Sequence, residues 1–227
     1  IDSIKALGAN VIYLMPIYPV GSLNSVNSPY CIQNYTEVNK EFGNLDDLRQ
    51  LISAAHKKDL AVILDWVANH TSYDHVWTKN KSWYQQDAEG NIIHPPNTPW
   101  RDVAQLNFDN VEMKQAMINA MKYWVLAANA DGFRCDYSDG PPFEFWKDAI
   151  SELRSISNRK LLMLSEGKRS DHYTAGFDYN FGFKFYENLK EIYNNNASVR
   201  KIDSLNVADY EGSSEGQQMV RYITNHD

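Results

Sequence analysis

The stretch Leu60-Ala61-Val62-Ile63-Leu64, followed at once by Asp65-Trp66-Val67-Ala68-Asn69-His70, decides the fold of this chain. The apolar run, with its β-branched members, predicts a short buried strand. A strand this apolar has no face for water, which is typical of a parallel sheet covered by helices. Polar residues begin where the strand ends, so we expect chemistry at the carboxyl edge of that sheet.

The same alternation of strand and helix runs along most of the chain. Val11 to Met15 predicts an earlier strand, and Asn44 can cap a helix between the two strands that runs to about Lys58. Further predicted elements are a helix from about Asn110 to Asn129, a strand at 131–136, a helix after Pro141 and Pro142, a strand at 161–164, and two weaker strands at 176–181 and 219–224 around a helix at 184–193. Alternating strands and helices indicate an α/β fold.

Composition narrows the class of protein. The 227 residues are 43% hydrophobic and carry a formal net charge of −7, which excludes a disordered chain and argues against nucleic acid or an anionic membrane as partner. No apolar run approaches the roughly 18 residues of a transmembrane helix. Cys31 and Cys135 are far apart and are predicted to be free thiols, which leaves the compartment open between cytoplasmic and extracytoplasmic. A neutral ligand fits this composition better than an anionic one, and the oligomeric state is left open.

Two carboxylates follow neighbouring predicted strands. Asp136 ends Arg134-Cys135-Asp136, and Glu166 ends Ser165-Glu166. In a parallel α/β barrel these strand ends share one rim, and neighbouring strands lie about 4.8 Å apart. Two carboxyl groups about 5 Å apart are the requirement of a retaining glycosidase. Arg134 lies on the same side of its strand as Asp136, and we expect it to keep that carboxylate ionised.

At this point the sequence resembles the α-amylase family. Its short signature segments occur here in order, as Asp65-Trp66-Val67-Ala68-Asn69-His70, Asp131-Gly132-Phe133-Arg134-Cys135-Asp136, Leu164-Ser165-Glu166 and Thr224-Asn225-His226-Asp227. The resemblance implies a TIM-type (β/α)8 barrel with a short insertion after its third strand. Residues 1–70 would form the first part of the barrel, 71–106 the B-domain-like insertion, and 107–227 the second part. The insertion, rich in Tyr, Trp, Asn and Pro, would shape the cleft.

The resemblance also implies roles for individual residues. Asp136 would be the nucleophile, Glu166 the general acid/base, and Asp227 a third carboxylate that binds sugar hydroxyls and distorts the ring. Asp65 would support the arginine that orients the nucleophile. The residues expected to contact or orient the sugar are Tyr30, His70, Arg134 and His226. The implied substrate is an α-1,4-linked, starch-like glucan or maltooligosaccharide, cleaved by double displacement without a required cofactor.

One departure limits what the resemblance carries over. Many members have Lys-His shortly after the nucleophile, for substrate and for calcium, whereas this chain has Asp139-Gly140. Asn69 and Asn107 match positions that bind structural calcium in some members, and their oxygens suit a hard cation. Asn69 is equally compatible with a hydrogen-bonded residue of the rim, so calcium and its absence both stay open.

Three other functions are compatible with parts of the pattern. The same machinery serves α-1,6- or trehalose-type glucosidases and transglycosylases. A catalytically silent relative, either a glycan-binding module or a structural subunit of a membrane transporter, would be expected to lack one of the three carboxylates, and all three are present.

Counting from the signatures, Val11 to Met15 corresponds to the second strand of the family's barrel and Met219 to Thr224 to the seventh. The first and eighth strands have no counterpart, and the chain begins at Ile1 rather than at a methionine. We therefore expect a part of a longer protein. An open barrel has two exposed edges, so the isolated residues are expected to have little activity, with Asp227 poorly fixed at the end.

Overall fold

The computed structural model describes residues 1–156 and 160–226. Within these residues six parallel strands form one sheet in the order β1-β2-β5-β6-β7-β8, and two antiparallel strands, β3 and β4, form a ribbon. The number and order of the parallel strands confirm the predicted second to seventh strands of a TIM-type barrel. The strands are β1 (Val11–Leu14), β2 (Ala61–Val67), β3 (His70–Ser72), β4 (Val103–Gln105), β5 (Gly132–Asp136), β6 (Leu162–Ser165), β7 (Tyr179–Phe181) and β8 (Gln218–Val220).

Among the described residues, one helix precedes β1 and the other helices lie between strands in the chain. They are α1 (Asp2–Ala6), α2 (Leu45–His56), α3 (Val111–Ala127), α4 (Phe143–Arg154), α5 (Asp171–Ala175), α6 (Phe183–Asn195) and α7 (Lys201–Ala208), with 3₁₀ turns at Val76–Lys79 and Lys81–Trp83. Asn44 caps α2 in a capping box with Asp47, as its position predicted. None of these helices is long and apolar enough to cross a membrane.

The core lies between the sheet and α3 and α4. The face of α3 that carries Met113, Met117, Met121 and Trp124 is buried, and the Trp124 indole N–H donates to the Tyr35 carbonyl over 2.7 Å. Burial of the indole with its donor satisfied fixes the helix against the segment that precedes α2. Cys31 and Cys135 are buried free thiols, as predicted.

Strand β2 is longer than its apolar run. Asp65 lies inside the strand, level with Arg134 of β5, and Val67 lies level with Asp136. The pairing with β5 extends the strand through residues that the hydrophobic pattern places after it, because backbone hydrogen bonds stabilise a strand whatever its side chains are. Asp65 is consequently buried completely.

Gly132 sets how closely β5 and β6 approach. Its φ is +149°, and a Cβ there would lie 1.9 Å from the Leu162 carbonyl oxygen. Just before it, the Asp131 carboxylate accepts the Val62 amide and His56 Nε2, each over 2.7 Å. Residues 131 and 132 therefore lock the start of β5 between its two neighbours.

The ribbon of β3 and β4 was not predicted. Its two strands have three residues each and are far apart in sequence, since His70 pairs with Gln105. A local hydrophobic period cannot reveal such short, distant pairing. The sequence analysis also missed the short helices α1, α5 and α7. Strands β7 and β8 are shorter than the strands predicted at 176–181 and 219–224.

Candidate active site

The Arg134 guanidinium is the centre of a cluster of carboxylates at the carboxyl ends of the strands. Its Nη1 donates over 2.9 Å to Asp65 Oδ1 and over 2.9 Å to Asp136 Oδ1. Its Nη2 pairs with Glu166 Oε1 at 2.5 Å. The arginine side chain is 1% exposed, so one buried cation is shared by carboxylates from three neighbouring strands or their ends.

Two tyrosine hydroxyls complete the support of Asp65. Tyr30 donates to Asp65 Oδ2 over 3.0 Å, and Tyr13 of β1 makes a short hydrogen bond to the same oxygen. The rings of Tyr13 and Tyr30 also lie 5.8 and 6.0 Å from Arg134 Cζ, within cation–π range. The sequence suggested Asp65 and Tyr30 but not Tyr13, because an aromatic residue in an apolar strand looks like ordinary core.

Asp136 and Glu166 lie side by side at the ends of β5 and β6. Cys135 is level with Ser165 in the sheet, so the next residue of each chain segment reaches the same height. Adjacent strands are about 4.8 Å apart, which is the order of spacing that a retaining pair needs. The side chains of Asp136 and Glu166 are 14% and 15% exposed, enough to be reached by a ligand from the cleft.

The pKa of Asp136 is shifted in the direction opposite to the sequence-based expectation. Burial raises its pKa well above the usual range, and the Arg134 guanidinium opposes this without overcoming it. The negative charges of Asp65 and Glu166 raise it further. Arg134 therefore does not by itself lower the pKa of Asp136 below its usual range, because burial, the largest effect, outweighs the guanidinium. Burial raises the pKa of Asp65 as well, so this cluster holds protons more readily than isolated carboxyls do.

A cleft of about 560 Å³ opens over the cluster. Of the residues suggested by the sequence, four line it, namely Tyr30, His70, Asp136 and Glu166. Trp100 and Tyr137 line it too, with their rings 4.9 Å apart and nearly perpendicular. Neither was predicted. Tyr137 could have been predicted, because it directly follows Asp136 in the sequence. Trp100 could not, because residues 71–106 show no hydrophobic periodicity.

His70 stays neutral in this setting. Burial lowers its pKa to about 4, so the imidazole carries no charge at neutral pH. Its Nδ1 lies 3.2 Å from Asn69 Nδ2, and its ring lies 5.5 Å from that of Trp100. A neutral imidazole suits a sugar hydroxyl better than a cation would.

His226 lies beside Tyr30. Its Nε2 is 2.7 Å from the Tyr30 hydroxyl, and the two rings are nearly parallel with centroids 6.2 Å apart. The structure therefore brings His226 to the tyrosine that also contacts Asp65. Asp227, the third carboxylate suggested by the sequence, lies outside the described residues.

The two asparagines suggested as calcium ligands are engaged within the protein. Asn107 Oδ1 accepts from Gln85 Nε2 over 3.1 Å and from the Asp109 amide over 3.1 Å. Asn69 exchanges longer hydrogen bonds with the Gln105 amide, at 3.3 and 3.4 Å. Hydrogen bonds within the protein occupy these side-chain oxygens, so the two asparagines do not form a preformed calcium site. Calcium stays a prediction.

Known proteins resemble the whole of this chain. The family model described as alpha amylase, catalytic domain, matches residues 1–102. Alpha-amylase 3 of Dictyoglomus thermophilum is 26% identical over 262 residues, covering 100% of this chain and 51% of that protein. A maltogenic alpha-amylase from Thermotoga neapolitana has a TM-score of 0.89 at 31% identity, covering 100% of this chain and 53% of the other. An alpha-amylase from Lactobacillus plantarum has a TM-score of 0.90 at 30% identity, covering 99% and 57%.

The chain spans about half the length of these relatives. Within that half, the likeness extends over the strands that carry Asp65, Asp136 and Glu166, in both sequence and fold. From this agreement it follows that the chain belongs to the α-amylase family.

Proposed function

We propose that this chain carries the acid/base pair of a retaining glycoside hydrolase that acts on α-linked glucans. The observation that supports this most directly is the placement of Asp136 and Glu166 at the same height on adjacent strands, both bonded to Arg134 and both lining the cleft. Relatives named alpha-amylases over the whole chain support the class of substrate.

In the proposed first step, an oxygen of Asp136 attacks the anomeric carbon while Glu166 gives its proton to the glycosidic oxygen. The carbon–oxygen bond to the leaving sugar breaks, and a glycosyl ester on Asp136 forms. In the second step, Glu166 takes a proton from water as the water oxygen attacks the same carbon. The ester bond breaks, Asp136 is released as a carboxylate, and the configuration is retained. No step uses a cofactor.

The proposed division of roles requires Asp136 to be ionised when it attacks, and the hydrogen bond from Arg134 stabilises that form. The transition state is oxocarbenium-like and positive, and it is stabilised by buried carboxylates that are already in place. Arg134 compensates only part of their charge, and its hydrogen bond to Asp136 orients that carboxylate. His70 is neutral and lines the cleft, and it is proposed to bind a hydroxyl of the sugar there, with Tyr30 stacking on the same ring and His226 beside it.

The finer proposal is cleavage of α-1,4-glucosidic bonds in starch-like glucans or maltooligosaccharides. The name of the Thermotoga relative, a maltogenic alpha-amylase, supports this linkage. Residues 71–106 are proposed to act as a short B-domain-like insertion, since Trp100 and Asp102 bring its far end to the cleft. Asp227 is proposed as the third carboxylate.

The test is made in the natural, complete protein. Asp136→Asn removes the nucleophile with little change of shape, and we expect loss of at least about 10³-fold in hydrolysis of a chromogenic maltooligosaccharide. Asp148→Asn, on the exposed face of α4, is the matched control and should keep the parent rate. If Asp136→Asn keeps most of the activity, the nucleophile is another residue.

Two further readouts separate the alternatives. Proton NMR of the first product should show the α-anomer, whereas a β-anomer means that the enzyme inverts. Products from amylose, pullulan and trehalose distinguish α-1,4 from α-1,6 or trehalose cleavage, and longer oligosaccharides reveal transfer. A complete protein that binds maltooligosaccharides without any turnover is the silent glycan-binding relative instead.

A further inference from the structure

The loop that follows β5 holds the loop that follows β6 through main-chain hydrogen bonds. The Ser138 amide donates to the Glu166 carbonyl over 2.9 Å, and the Glu166 amide donates to the Cys135 carbonyl over 3.0 Å. The Tyr137 amide donates over 2.9 Å to Glu166 Oε2. The Trp146 indole N–H donates to the Ser138 carbonyl over 2.9 Å, which ties the same loop to α4. Glu166 is thus held through both its backbone and its side chain.

Asp139, the residue after Ser138, also binds the loop that follows β6. Its Oδ2 accepts the Lys168 amide over 2.9 Å, and its Oδ1 accepts the Arg169 amide over 3.2 Å. His172 Nε2 lies 2.8 Å from Oδ1. Burial alone would raise the pKa of Asp139, but the hydrogen bonds from His172 and the two amides lower it overall. An ionised carboxylate therefore ties down the residues just beyond Glu166.

The fit around this contact is close. His172 is completely buried in α5. A Cβ on Gly167, the residue after Glu166, would lie 2.3 Å from His172 Nε2 and 2.6 Å from Asp139 Oδ1. Only a residue without a side chain lets the imidazole and the carboxylate meet under the backbone of this loop.

The same turn also packs toward β2. A Cβ on Gly140 would lie 2.2 Å from Asn69 Oδ1, directly beside His70 in sequence. From the other side, Arg169 Nη1 donates to the Asp139 and Pro141 carbonyls over 3.1 and 3.2 Å. The Asp139-Gly140 turn is wedged between the ends of β2 and β6.

From this geometry we propose that Asp139 and His172 are positioning residues that fix the general acid/base Glu166 toward the leaving group of the substrate. They act through the backbone of residues 166–169 and not by touching the reacting atoms. The proposal rests on the proposed role of Glu166 as the proton donor. It assigns a use to the turn at which the sequence departs from the Lys-His pattern of many family members.

A direct role in binding substrate fits these contacts less well. Asp139 reaches the wall of the cleft, but its oxygens already accept three N–H groups. His172 has no exposed surface at all. A shift of about 1 Å in a catalytic group can cost on the order of 10²-fold in rate, so a small movement of this loop is enough to matter.

The test uses substrates that differ in their need for a proton donor, in the natural, complete protein. Asp139→Asn is expected to lower kcat/KM for an unactivated maltooligosaccharide by about 30- to 100-fold. For maltosyl fluoride, whose fluoride leaves without protonation, the loss is expected to stay below about 3-fold. His172→Gln, which keeps a side-chain N–H donor, should show the same bias to a smaller degree.

Controls keep the outcome clear. Asp148→Asn, on the exposed face of α4 and outside these contacts, should change the rate on neither substrate. Thermal unfolding midpoints show whether each variant is folded at the assay temperature. Equal losses on both substrates, or no loss on either, overturn the positioning role of Asp139. The role of Asp136 is judged separately, because Asp136→Asn must abolish turnover of maltosyl fluoride as well.

Discussion

The centre of the sheet and its β7–β8 end are built very differently. In β2, β5 and β6 almost every residue is buried, and the helices α3 and α4 cover them with fully buried side chains. In β7 only the middle residue is buried, β8 has no buried residue, α6 has none, and α7 has only Leu205 among the described residues. The two regions share one sheet but not one quality of packing.

The difference in packing shows which part of the sheet carries the buried charged residues. The Arg134 cluster lies on the densely packed centre, where Arg134 and Asp65 are almost completely buried and Asp136 and Glu166 are 14% and 15% exposed. His226 follows the thinly packed end and reaches the site by its contact with Tyr30. The contacts that hold Asp136 and Glu166 to Arg134 come from the central strands and their ends, whereas His226 follows β8.

The largest expected effect tests the buried cation at the centre. Arg134→Ala leaves Asp65, Asp136 and Glu166 without their shared partner, and we expect a loss of about 3 to 5 kcal/mol in the free energy of unfolding. Lys201→Ala removes an exposed ion pair with Glu191 between α6 and α7, and should cost about 0 to 1 kcal/mol. Urea unfolding of both variants measures the contrast, and equal losses would remove the distinction between the two regions.

A matched pair of leucines tests packing without charge. Leu153 in α4 is fully buried, and Leu205 in α7 is the one buried residue of its helix. Leu153→Ala should cost about 4 kcal/mol and Leu205→Ala about 2 kcal/mol, because thin surroundings collapse more easily around a cavity. The same unfolding experiment gives both values. A Leu205 loss as large as that of Leu153 would show that the β7–β8 end is packed as well as the centre.

The last prediction concerns the pH dependence of stability, to which two buried histidines contribute. Burial lowers the pKa of His70 to about 4 and that of His75 to about 3, from an unfolded value of about 6.5. The unfolded chain then binds more protons between these values, so the free energy of unfolding falls as pH is lowered from about 6.5 toward 4. Each histidine contributes a slope of about 1.4 kcal/mol per pH unit in that window.

His75→Asn isolates one of these contributions. Asparagine can keep the acceptor that His75 Nδ1 offers to the Trp77 amide at 3.0 Å, but it does not titrate. We expect the variant's unfolding free energy to fall less steeply between pH 6.5 and 4, by about 1.4 kcal/mol per pH unit. Unfolding curves at several pH values measure this slope. An unchanged slope would mean that His75 is not kept neutral by burial.

The sequence predicted the central half of the fold well and the β7–β8 end less well, for the same physical reason. Strong apolar runs and the cap at Asn44 report local structure, and they match β1, β2, α2 and α3 closely. Short elements such as α5, β3 and α7 depend on tertiary contacts, and no local pattern reveals them. At the β7–β8 end the apolar signal was weak because the segments are barely buried.

The site was predictable where residue type and strand position coincide. Asp136 and Glu166 follow apolar runs, and they line the cleft as expected. Tyr13 and Trp100 carry no such mark, since one looks like core and the other lies in an irregular insertion. The raised pKa of Asp136 was unpredictable for another reason, because the sequence shows that Arg134 is near but not that burial outweighs its charge.

Gly132 links the packing of two strands to the spacing of two carboxylates. With its positive φ and the Leu162 carbonyl 1.9 Å from where a Cβ would be, every other amino acid at this position must push β5 away from β6. The gap between those strands is also the gap between Asp136 and Glu166. Any substitution at residue 132 is therefore expected to change the distance between Asp136 and Glu166, although residue 132 does not line the cleft.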